Sequence, residues 1–139
     1  MGYFDENEII RTDLLEKEAS KQAEEFVVYR KNYKTGMKEV DDKKSLSSAQ
    51  LRKFFNEFRQ LEKKVEIEGF NKVKPLIKMV KSKAAYASNR SNSKFTASFK
   101  KFLITNVDHI EGEKDFQAFM LHFEAVVGFF YGIEGVKNN

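Results

Sequence analysis

Cysteine is absent from this 139-residue chain, and proline occurs only once. Without cysteine the chain can form no disulfide, no zinc finger and no cysteine nucleophile, which is compatible with a reducing cytoplasm. It also has no run of about 18 consecutive apolar residues, and its N-terminus has no apolar signal core. We therefore expect a cytoplasmic protein that neither spans a membrane nor is secreted.

Acidic residues are missing from one long central segment. Between Gly69 and Val107 the chain carries nine Lys or Arg residues and no Asp or Glu, although its net charge is only +4. Residues 1–45 and 108–139 each carry more acidic than basic side chains. Segregated positive charge is typical of a surface that meets a polyanion, most often a nucleic-acid backbone. The alternative is an ordinary solvated basic face.

Groups that could carry out catalysis or hold a metal are few. His109 and His122 lack the spacing of a metal pair, and we expect them to be surface or cap residues. No glycine-rich loop of the kind that cradles phosphates is present. We therefore predict no catalytic residue, no metal site and no cofactor, and a protein that is not an enzyme.

The apolar residues recur at helical spacing, which predicts an all-α, single-domain bundle of about five helices. The predicted helices cover about Glu8 to Tyr33, Ser47 to Gly69, Asn71 to Ser88, Ser93 to Gly112 and Asp115 to Phe130. The first is thinly apolar and is followed by a charged linker from Thr35 to Lys44, which we expect to be mobile. We therefore expect the first helix to extend or exchange onto a neighbouring copy or partner, which could give a homodimer in isolation.

Several residues predict where the helices begin and end. Ser47 and Gln50 predict a capping box for the second helix, with Leu46 packed on Leu51, and Gly69 is placed to end that helix in a left-handed turn. In the third helix we expect Pro75 in or near the first turn and Leu76 in the core. Asn89 predicts a left-handed cap that would hold Arg90 in a fixed turn. Ser93 or Asn92 should cap the fourth helix, and Gly112 should end it.

Basic residues in two helices could contact a phosphate backbone. Lys74, Lys78 and Lys81 recur at i, i+4 and i+7, on a stripe predicted to lie opposite Leu76, Val80 and Ala84. Arg52 and Lys53 lie in the first turn of the second helix, where free amides and cations together suit a phosphate, although an ordinary exposed pair fits equally well. Tyr86 could stack on a base, but a place in the core or at its rim is the commoner role for such a residue.

Two segments resemble a known family. Residues Leu46 to Phe54 read LSSAQLRKF, and residues Lys83 to Arg90 read KAAYASNR. Both resemble motifs of the small helical subunit of type III-A CRISPR effector (Csm) complexes, and the resemblance extends from about Leu46 to Tyr131. Asn89 stands where the family tends to have Gly, and serines stand in place of threonines at the helix start. These exchanges keep the capping chemistry.

The resemblance implies a non-catalytic small subunit, present in several copies, that binds and stabilises the guide RNA–target RNA duplex. The implied partners are guide RNA, target RNA, other copies of the subunit, and the backbone and large subunits of the complex. Residues 1–45 would form an N-terminal helix and linker, and residues 46–139 a four-helix RNA-binding core. The resemblance implies RNA contacts by Arg52, Lys53, Lys83 and Arg90. Lys78 and Lys81 are predicted RNA contacts from the stripe alone.

Two other functions stay open at this point. The chain could be a helical DNA-binding regulator with its third helix as the recognition helix, although that helix has few side chains suited to reading base edges. It could also be a protein-interaction module that acts independently of nucleic acid.

Overall fold

A computed structural model describes residues 2–90 and 93–137 of the chain. Six helical segments and one antiparallel pair of strands make up this described part, and five of the helices have nine or more residues. In chain order the elements are α1 (Thr12–Leu15), α2 (Lys17–Glu25), β1 (Tyr29–Lys31), β2 (Lys38–Val40), α3 (Ser48–Glu68), α4 (Phe70–Ser88), α5 (Ala97–His109) and α6 (Glu113–Gly132). The predicted single-domain, predominantly helical fold is confirmed.

The N-terminal region differs from the single long helix predicted for Glu8 to Tyr33. The chain bends at Glu16, between α1 and α2, and helical structure ends at Glu25. β1 and β2 follow as a hairpin in which Tyr29 pairs with Val40. The helix prediction is wrong here because the Val27 to Tyr29 run consists of β-branched and aromatic residues, which favour a strand.

The segment predicted as a mobile linker forms the second half of this hairpin. Asn32 Oδ1 accepts hydrogen bonds from the amides of Lys34 and Thr35, and Gly36 adopts a φ of +72° in the turn. Beyond β2, the amide of Asp41 donates to the carbonyl of Val28 at 2.7 Å. This last bond ties the end of the hairpin to its beginning.

The N-terminal helices share the core of the rest of the chain. Helix α2 packs on α6, and its Ala19 and Ala23, with Phe26 just beyond it, are fully buried. The Phe26 ring meets the rings of Phe99 and Phe102 edge to face, with centroids 5.2 and 5.5 Å apart. The first helical region therefore packs on α6 of its own chain, and its exchange onto a neighbouring copy or partner stays a prediction.

Helix α3 begins and ends close to the predicted residues. The Gln50 amide donates to Ser47 Oγ at 3.1 Å, and Gly69 ends the helix with a φ of +90°. The other half of the capping box is wrong, because the Ser47 amide donates to the Lys94 carbonyl at 3.1 Å and not to the Gln50 side chain, whose Nε2 donates to the Ser93 carbonyl at 3.0 Å. Both bonds tie the start of α3 to the segment that precedes α5.

Helix α4 buries most of the residues predicted for its core, and Leu76 is the exception. Leu76 is 37 % exposed, whereas Ile77, Val80 and Ala84 form a buried stripe together with Val73. Leu76 lies one position away from Ile77, which turns it about 100° from that stripe. Pro75 lies in the second turn, because the helix already begins at Phe70.

The turns around α5 also differ from the predictions. Asn89 has a φ of −90°, so the predicted left-handed cap is wrong, and a positive φ occurs at Lys94 instead. Thr96 caps α5 by accepting from the Phe99 amide, where Ser93 had been expected. Asn92, the other predicted cap, lies outside the described residues. Gly112 precedes α6 and does not end α5, which stops at His109.

His122 is a buried part of the core, so its predicted surface position is wrong. The residue is 6 % exposed, and its Nδ1 lies 2.6 Å from the carbonyl oxygen of Leu14 in α1. Since a carbonyl only accepts, Nδ1 must carry the proton. Burial holds the pKa of His122 below its usual range. Its spacing from the core residues Phe119 and Val126 was the signal that could have revealed this position.

We expect His122 to make the free energy of unfolding fall as the pH drops below about 6.5. The histidine is more basic in the unfolded chain, so unfolding takes up a proton in this range. His122→Asn should flatten the pH dependence of the melting temperature between pH 7.5 and pH 5.5. The exposed His109→Asn variant is the matched control and should keep the wild-type slope. A wild-type slope in both variants would contradict the assignment.

Candidate nucleic-acid interface

The lysine stripe of α4 lies against the C-terminal end of α5. Lys74 Nζ is 2.9 Å from a Glu111 carboxylate oxygen, and Lys81 Nζ is 2.5 Å from Asp108 Oδ1. Between them, Lys78 Nζ donates to the carbonyl of Val107 at 2.8 Å. The stripe therefore joins α4 to α5.

These contacts balance much of the repulsion that the stripe would otherwise create. The carbonyls at the end of a helix carry partial negative charge, which favours a cation such as Lys78 there. Hydrogen bonds from Lys81 and Lys74 hold the pKa values of Asp108 and Glu111 below their usual range. The balancing acids begin at Asp108, one residue beyond the acid-free segment, so the composition of that segment alone could not show the pairing.

A groove between α3 and α4 brings together three of the six predicted RNA contacts. Lys53 extends from the first two turns of α3, Lys83 from the end of α4, and Arg90 from the residues just beyond α4. Tyr86 lies beside them, and the groove has a volume of about 520 Å³. The remaining lining residues are Gln50, Phe54, Glu57, Ser82 and Ala87.

The cations of the groove differ in their partners. Lys83 forms an ion pair with Glu57 of α3. Arg90 lies over the ring of Tyr86, with its Cζ 5.9 Å from the ring centroid. Within the described part of the chain, no carboxylate forms an ion pair with Lys53 or Arg90. The positive charge of these two residues is therefore available to a ligand.

A second depression adjoins the groove at Arg90. It measures about 390 Å³ and is lined in part by Lys43, Lys44 and Lys94. Lys43 and Lys44 were not predicted as RNA contacts because they belong to the predicted linker. In the structure, Asp41 Oδ1 accepts hydrogen bonds from both of their amides and so holds this turn in place. We call the combined region the Arg90 surface, and its basic residues are Lys43, Lys44, Lys53, Lys83, Arg90 and Lys94.

Arg52 and the stripe residues lie outside this surface. Arg52 is exposed beside Lys53 on α3, but it does not line the groove. Lys78 and Lys81 are partly buried against α5. Three of the six predicted RNA contacts therefore line the groove. Arg52 is exposed beside it, and Lys78 and Lys81 contact α5.

The Arg90 surface offers cations and an aromatic ring, which suit binding of a polyanion. Over residues 2–90 and 93–137, no cluster of three or more His, Asp or Glu side chains could hold a metal ion. In the same ranges no helix is both long enough and apolar enough to cross a membrane.

The molecule is thus a small helical domain in which the segments Leu46 to Phe54 and Lys83 to Arg90 flank one cationic groove. A comparison with protein families matches residues 20–133 to the family described as Csm2 Type III-A. The chain belongs to this family, the small subunit of type III-A CRISPR effector complexes. The resemblance read from the two motifs is confirmed. No curated protein and no solved structure gave a significant match.

Proposed function

We propose that this chain is a non-catalytic, multi-copy subunit that binds and stabilises the guide RNA–target RNA duplex through the Arg90 surface. The observation that carries the proposal is the groove itself, where Lys53, Lys83 and Arg90 come together from separate parts of the sequence. Its partners in the cytoplasm would be guide RNA, target RNA, other copies of itself, and the backbone and large subunits. Residues 46–139 would supply most of the RNA contacts, and Lys43 and Lys44 extend the proposed surface slightly beyond that boundary.

Binding of this kind depends on the RNA backbone and on duplex shape. The side chains that face outward on the Arg90 surface are mainly cations, which meet phosphates without reading the base sequence. In a guided complex the sequence is read by pairing between the two RNA strands. We therefore expect binding with little sequence preference and a steep dependence on salt.

The contacts of α4 weigh against a recognition helix for duplex DNA. Such a helix places its side chains in the major groove, whereas Lys74, Lys78 and Lys81 of α4 contact the end of α5. As RNA contacts, Lys78 and Lys81 stay predictions. They would have to exchange their present partners for phosphates.

Removing the accessible cations should weaken RNA binding. We expect the triple variant Arg52→Ala, Lys53→Ala and Arg90→Ala to bind a guide–target duplex about tenfold or more weakly at ~0.1 M salt, because up to three phosphate contacts are lost. The slope of log Kd against log salt concentration should fall by about 2. Fluorescence anisotropy over a salt series measures both quantities.

The matched control is Lys21→Ala, Lys63→Ala and Lys114→Ala, which removes the same charge from exposed positions outside the groove. It should lose far less affinity. Equal losses of affinity in the two triple variants would show a general charge effect. Wild-type affinity in the variant that lacks Arg52, Lys53 and Arg90 would contradict the proposal. Sequence-dependent binding to one DNA duplex would support the regulator instead.

Removing one acid from the groove should strengthen binding. Glu57→Gln frees Lys83 and takes a negative charge away from the path of the phosphates, so we expect affinity to rise about two- to fivefold at ~0.1 M salt. A partly exposed ion pair such as this one contributes little to folding, so the fold should persist. Glu62→Gln, which removes the same charge from the Arg59 pair further along α3, is the control. Weaker binding by Glu57→Gln, or equal gains in both variants, would contradict a role for the groove.

A further inference from the structure

Tyr86 is a large aromatic side chain that the core does not use. It lies in the last turns of α4 with 71 % of its surface exposed, whereas most phenylalanines of the chain are buried together. Burial would be the ordinary place for such a ring. Its exposure within a cationic groove suggests a ligand that is itself flat.

Three cations share the groove with the ring, which suits a nucleotide. Lys83 precedes Tyr86 by nearly one helical turn, and the guanidinium of Arg90 lies over the ring at 5.9 Å from its centroid. Lys53 lines the same groove from α3. Proteins that bind single-stranded nucleic acid combine a stacking aromatic with cations for the flanking phosphates.

The groove is large enough to receive a single base. Its volume is about 520 Å³, and its lining includes the apolar Phe54 and Ala87. Inside a continuous duplex, both faces of each internal base are covered by stacked neighbours, so such a base cannot offer a face to Tyr86. A base that is unpaired, at a strand end or pushed out of the helix, can do so.

We propose that the groove binds one unpaired RNA base, stacked on Tyr86, with the flanking phosphates on Lys53 and Arg90. The inference rests on the proposed function, since it takes RNA as the ligand. It adds that the subunit distinguishes an interrupted duplex from a continuous one. Because stacking involves no net charge, this preference should change little with salt, unlike the phosphate contacts.

The test compares two RNA duplexes of equal length, one fully paired and one with a single unpaired adenine at its centre. Affinities are measured over a salt series for the wild type, Tyr86→Ala, Tyr86→Phe and the double variant Lys53→Ala, Arg90→Ala. Tyr33→Ala serves as the matched control, because Tyr33 is fully exposed in the hairpin turn and does not line the groove. Circular dichroism checks that each variant is folded.

We expect the wild type, Tyr86→Phe and Tyr33→Ala to bind the interrupted duplex about tenfold more tightly than the paired one. Tyr86→Ala should lose this preference and keep the salt slope. If the wild type shows no preference, or Tyr86→Ala retains it, the inference is overturned. If the double variant binds both duplexes like the wild type, the proposed function itself fails.

Discussion

Helix α4 carries five lysines and no acid, and other parts of the chain contact four of these lysines. On one side, Asp108 and Glu111 and the last carbonyls of α5 contact three of these lysines. On the other side, Glu57 of α3 pairs with Lys83. These contacts help to hold α4 between α3 and α5, and the groove that contains Tyr86 and Arg90 lies along the α3 side.

The apolar core fixes the same arrangement from within. Phe26 from the N-terminal region meets Phe99 and Phe102 of α5 edge to face, and phenylalanines of α3 and α6 contact these α5 rings or each other in the same geometry. Each such pair adds about 0.5–1.5 kcal/mol beyond the area it buries. Because the N-terminal region takes part in this core, the turn that carries Lys43 and Lys44 is held close to Arg90. Packing far from the surface thus determines which cations lie next to one another.

The parts that could be predicted from sequence are those governed by local periodicity and capping. The approximate spans of α3 and α6, the Ser47 cap and the Gly69 stop depend on residues within a few positions of each other. The hairpin could not be predicted because charged residues hide the alternation of apolar and polar side chains in its short strands. The contact between His122 and Leu14 joins residues far apart in sequence, so no local pattern shows it. The lysine stripe was recognised as a pattern, but its pairing with Asp108 and Glu111 depends on how α4 and α5 pack. The motif resemblance identified Lys53 and Arg90 as RNA contacts, whereas the fold was needed to show that they line the same groove.

Cross-linking of RNA to the protein tests the central claim most directly, namely that α4 uses its stripe for folding and its C-terminal end for RNA. A guide–target duplex that carries 4-thiouridine is bound to the protein and irradiated, and the cross-linked peptides are sequenced by mass spectrometry. We expect cross-links at Lys53 and between Tyr86 and Arg90, with few at Lys74 to Lys81. Cross-links confined to the stripe, or to α2 and α6, would contradict this claim.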